Sequence, residues 1–136
     1  MKSGSALAAI QKAVYERLSA DSSLMGKVTG IFDFVPDNQE FPYVTIGEAT
    51  TVPFATFSRF GEEATITLHI WSRYQGFKEI ADIMDDLNRL LGHQDLQVIG
   101  YDTITCFYDF SETLREPDGI TRHGVVRYRI LTQKQL

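Results

Sequence analysis

Cysteine is nearly missing from this chain: Cys106 is the single one. One thiol excludes an internal disulfide framework and any zinc site built from cysteines. Cys106 falls in an apolar strand pattern, which reads as an inert core residue rather than a nucleophile. Basic residues are also scarce, 13 Lys and Arg against 18 Asp and Glu, for a net charge of −5. That balance argues against a general nucleic-acid binder, which needs a basic footprint, though a local basic patch stays open. No apolar run approaches the ~20 residues of a membrane span. The first one, "ALAAI", is broken by Gln11 and Lys12 too early for a signal peptide, so the expectation is a soluble protein made in the cytoplasm. Phosphate-cradling glycine loops and the Gly-x-Ser-x-Gly elbow are missing, as are internal repeats and low-complexity segments.

What is present suffices for a core. The 136 residues are 43% hydrophobic and 12% aromatic, which fits one domain over 1–136 with disorder expected only at 1–4. Leu7, Ile10, Val14 and Leu18 recur at helical spacing and predict a first helix over 5–19. Asp21 can cap a short turn through Leu24 and Met25. A short strand is expected at 31–35 and a second at 43–48. The stretch 49–61, "ATTVPFATFSRFG", has one charge and three Phe, and reads as a long loop. Ile66, Leu68 and Ile70 alternate with Thr67, His69 and Trp71, the clearest strand pattern in the chain. Phe77, Ile80, Ala81, Met84, Leu87, Leu90 and Leu91 make the apolar stripe of a helix over 77–91, stopped by Gly92. Strands at 97–110 and 121–132 follow, joined by a turn on Pro117-Asp118-Gly119. The order α-β-β-β-α-β-β implies an α+β fold: one mainly antiparallel sheet with two helices packed on one face.

No set of residues reads as catalytic, metal-binding or cofactor-binding. In "EPDGITRHGVVRYRIL", Val126, Tyr128 and Ile130 point one way, and His123, Val125, Arg127 and Arg129 the other. This is the alternation of a half-buried strand with a polar outer face. The row His123, Arg127 and Arg129 has two readings: contact with acids of a neighbouring subunit or another partner, or pairing with Glu112 or Glu116 of its own chain. His69 and His123 can meet across the sheet, but the spacing supplies no third metal ligand. "DIMDD", with Asp82, Asp85 and Asp86, reads as a solvated helix face. Phe54, Phe57, Arg59 and Phe60 are the other candidate contact residues. Exposed aromatics of this sort mark a contact surface, and the alternative is that they fold back under the sheet.

Three stretches carry a resemblance: "FPYVTIGE", "LHIWSRYQGFKEI" and "TLREPDGITRHGVVRYRI". Together with the opening "ALAAIQKAVYERLSADSSLMGKVTGIFDFVP", they resemble a tail-completion family of long-tailed bacteriophages and prophages, similar to the lambda-type tail terminator. Many members are filed as domains of unknown function. Glu116 stands where the family leads one to expect Asp. The resemblance implies a structural virion protein, not an enzyme, with no cofactor. It implies a homo-oligomeric ring, a hexamer in the tail, at the head-proximal end. Its partners would be the tail-tube protein and a head-completion or connector protein, with DNA passing through the lumen without sequence-specific contact, and no membrane. The alternatives are a head–tail connector of the same system, or a small cytoplasmic ligand-binding or enzymatic α+β domain.

Overall fold

The structure, a computed structural model, describes residues 6–55 and 60–134. The chain runs α1 (Leu7–Ser19), α2 (Ser22–Met25), β1 (Ile31–Phe32), β2 (Tyr43–Ala55), β3 (Phe60–Ser72), α3 (Lys78–Leu91), β4 (Tyr101–Arg115) and β5 (Arg122–Lys134). The fold is α+β with one mixed sheet in the order β1-β2-β3-β5-β4. β1 pairs with β2 in parallel, and the other neighbours are antiparallel. The expected element order lacks α2, a one-turn helix capped by the Asp21 carboxylate, which accepts from the Leu24 amide at 3.0 Å.

The expected loop at 49–61 is not one. β2 and β3 pair from Tyr43↔Trp71 to Ala55↔Phe60, so this stretch is strand on both sides of residues 56–59. Its low charge and its Thr, Val and Phe content suit a strand, and Pro53 does not interrupt it. Pro53 falls in β2, on the side of the sheet that β1 covers only at Val44 and Thr45, and edge positions tolerate proline. The last strands also shift: β4 spans 101–115 rather than 97–110. The expectation of a disordered start falls on 1–4, outside the described residues.

The inner face of the sheet carries Val44, Ile46, Ala64, Ile66, Leu68, Ile70, Val126, Tyr128 and Ile130, all buried. Ile10, Ala13, Val14 and Leu18 of α1, with Leu24 of α2, join the same core. α3 adds Ile80, Ile83, Leu87 and Leu91. Its stripe is turned slightly from the expected one: Ala81 is exposed and Ile83 is buried. Asp86 is buried as well, contrary to a solvated face, and is paired with Lys27 at 2.9 Å and Arg89 at 3.2 Å. Arg89 reaches on to Asp21 at 2.7 Å, so one ionic cluster ties α3 to the α2 cap. α3 lies close on β5 because Gly124 has no side chain: a Cβ there would come within 2.6 Å of Ile80 Cγ2. α1 begins without a side-chain cap of its own, and Glu62 of β3 supplies one, its Oε1 accepting from the Ala6 amide at 2.6 Å.

Candidate functional site

Among the described residues, the helices pack on one face of the sheet and leave the other uncovered. On it, β5 presents His123, Val125, Arg127 and Arg129, as its alternation requires. His69 and Trp71 of β3 stand beside them, with Trp71 directly opposite His123. The indole stacks on the His123 ring at 3.9 Å and 14°, and its Nε1–H donates to Thr45 Oγ1 at 3.2 Å.

Two β-bulges bring acids to this basic row. In β2 the register shifts between Ile46↔Leu68 and Ala49↔Ile66, so Gly47 and Glu48 together oppose Thr67. A bulge re-aims a side chain that strict alternation would send elsewhere. Glu48 thereby meets His69, Oε1 to Nε2 at 2.6 Å. Gly47 is what lets the His69 ring lie across β2, since a Cβ there would sit 2.7 Å from Cδ2 of that ring. In β4 the register shifts between Tyr108 and Phe110, leaving Asp109 as the extra residue. Its carboxylate takes Arg127 Nε at 2.7 Å and Arg129 Nη2 at 3.2 Å. Beyond this bulge Phe110 faces Arg127, whose guanidinium lies 4.7 Å from the ring centre.

The histidines close a chain of four groups. His69 Nδ1 and His123 Nε2 are 2.7 Å apart, and His123 Nδ1 is 3.1 Å from Glu116 Oε1. The hydrogen bond from His69 holds Glu48 below its usual range. Burial and the facing imidazole push His123 down, against Glu116 and Glu48, which pull it up. The four groups are strung in a line rather than gathered about a point. Among the described residues no group of three or more His, Cys, Asp or Glu is placed to hold a metal ion. Cys106 is fully buried, and burial raises its thiol to about 12, far from a reactive thiolate.

Of the expected contact residues, His123, Arg127 and Arg129 share this face. The arginines are held within the chain by Asp109, with Glu63 3.4 Å from Arg129, rather than by Glu112 or Glu116. Glu116 pairs with His123 instead. Both arginines remain 43–45% exposed. Phe54 and Phe60 are placed by backbone alone, near the end of the β2–β3 hairpin and far along the strands from His69. Phe57 and Arg59 lie outside the described residues. Sequence reasoning missed Glu48 and Asp109, since a two-residue period carries no sign of a bulge. For Glu48 the preceding glycine was an available signal.

The family model for tail completion protein gp17 matches residues 12–133. The chain belongs to that family. It is similar to the tail completion protein gp17 of Bacillus phage SPP1, with 30% identity over 121 residues, covering 89% of this chain and 90% of that one. The solved structure of the SPP1 protein covers 91% of this chain and 90% of its own, with a TM-score of 0.61. A chain from the virion of a native gene transfer agent particle superposes at a TM-score of 0.88, covering 96% and 99%. At 20% identity it shows the shared fold. Membership makes the chain a structural part of phage tail assembly and not an enzyme.

Proposed function

We propose that copies of this chain form a ring, a hexamer, that caps the head-proximal end of the tail tube and offers the head connector a docking surface. The observation that supports the ring best is the pair of unlike edges on the sheet. On one side β1 covers β2 only at Val44 and Thr45, leaving the rest of the outer edge of β2 without a neighbour among the described strands. On the other side β4 is outermost, met by Gln94 at Cys106. Exposed edges are templates for strand addition. Unlike edges that meet head to tail give a heterologous contact, which closes into a ring when the rotation permits. A part that joins two different bodies also needs two separate surfaces. Val52 is 55% exposed towards the hairpin end, where Phe54, Phe57, Arg59 and Phe60 cluster in sequence; Tyr74 and Ile120 are 51% and 61% exposed beyond the opposite end of β3 and β5.

Deleting the gene from its phage or prophage tests this reading. The expected result is tails of uncontrolled length and heads left unjoined. Tails of normal length beside unjoined heads would assign the chain to the neighbouring connector role instead.

A further inference from the structure

The outer-face chain Glu48–His69–His123–Glu116 has more contacts than two neutral imidazoles can serve. A neutral imidazole carries one N–H and one lone pair. Three junctions need three protons: one into Glu48, one between the rings and one into Glu116. Two neutral rings supply two. If His69 donates to Glu48 and His123 donates to His69, the remaining lone pair of His123 faces the Glu116 carboxylate. One added proton, taken from solvent, satisfies that junction. A second added proton undoes the chain, because the two ring nitrogens 2.7 Å apart would then both carry hydrogen.

We propose that these four residues form one proton-binding site that is closed with a single extra proton shared by the two imidazoles, and open with none or with two. The closed chain fastens β2, β3, β5 and the residue that leads into the β4–β5 turn across the uncovered face. Its surroundings favour one charge. Two carboxylates flank the imidazoles. The other titratable or charged groups around the site are Tyr43 of β2, Glu112 of β4, Arg127 of β5, Arg73 after β3 and Asp118 of the turn. Asp109 holds Arg127, and Arg73 donates to Thr121 at 3.2 Å. Asp118 is held down to about 2 by hydrogen bonds from Thr121 and Ile120, and stays ionised throughout. The other neighbours on this face, Thr67, Trp71, Val125 and Leu114, do not titrate in the relevant range. The sign follows from the lowered value of His123. The folded chain protonates His123 less readily than the unfolded chain does, so the stability tied to this ring falls as pH drops below the ordinary histidine range, about 6.5.

The test is a ring-nitrogen NMR titration of the whole protein between about pH 4 and 9, with His69→Gln and Glu116→Gln beside it. In a coupled pair the protons belong to the pair, and the two steps lie more than about one pH unit apart. Signals of both rings should therefore move in both steps. In His69→Gln, His123 should titrate in a single step, and in Glu116→Gln the step at higher pH should move to lower pH. The substituted side chains lie on the uncovered face, and circular dichroism checks that each variant is folded. If a variant does not fold, the two-step form of the unmodified protein decides alone. Rings that each titrate in one separate step, at midpoints unchanged by either substitution, would overturn the proposal.

Discussion

Leu68 shows how strictly the two faces of β3 differ. It is fully buried between Ile66 and Ile70 positions on the inner face, while His69 and Trp71 face outward. Truncation in such a packed site removes transfer free energy and leaves a cavity. Leu68→Ala should cost about 2–5 kcal/mol in denaturant unfolding; a loss of ~0.5 kcal/mol or less, as at an exposed site, would mean the faces are misassigned. Cys106, fully buried with a thiol raised to about 12, should be alkylated only through unfolding. Its labelling rate at pH 8 should rise steeply in denaturant, and fast labelling of the native protein would contradict this placement. Arg127 and Arg129 converge on Asp109 and stay 43–45% exposed. Such pairs contribute about 0–1 kcal/mol each. Arg127→Glu with Arg129→Glu should therefore leave a folded subunit with a modestly lower melting temperature, yet fail to complete tails. A variant that folds and completes tails normally would reduce the row to a solvated face.

At the scale of elements, the cluster of Asp86, Lys27, Arg89 and Asp21 joins α3 to the start of α2. Asp86 lies below its usual range: burial raises it, and hydrogen bonds from Lys27 and Arg89 outweigh that. Charge-assisted bonds of this kind contribute about 1.5–3 kcal/mol when the acceptor is shielded. Asp86→Ala should destabilise by about 1–3 kcal/mol, since Lys27 and Arg89 are 40% and 50% exposed and regain water. Chemical denaturation measures it, and an unchanged midpoint would show that the cluster is ornamental to stability. Elements with regular periods were legible in advance: α1, the inner row of β3 and the alternation of β5 lie where their patterns put them. Elements that break a period were not. The bulge at Gly47-Glu48 and the one at Asp109 move acids onto the outer face, and no two-residue period announces them. The stretch 49–61 read as a loop because it is long and nearly uncharged, with three Phe and a proline, yet an edge position accepts proline without losing a ladder bond. Asp86 read as surface because three acids in "DIMDD" look solvated, and only the fold brings Lys27 beneath it. For the candidate site, His123 and the arginines were legible as an outward row, while their partners Glu48 and Asp109 depended on register.

For the whole molecule, the helices close one face of the sheet and leave the other face and long parts of both edges without cover from described elements. An isolated subunit so built has its core finished, with one sheet face and parts of both edges left over among the described residues. That suits a protein whose family completes phage tails. The most direct measurement is electron microscopy of isolated tail tubes mixed with purified, gold-tagged protein. The account predicts a closed ring at one end of each tube, the end that later receives the head, with neighbouring copies related by rotation. Label along the tube wall, at both ends, or on heads alone would contradict it.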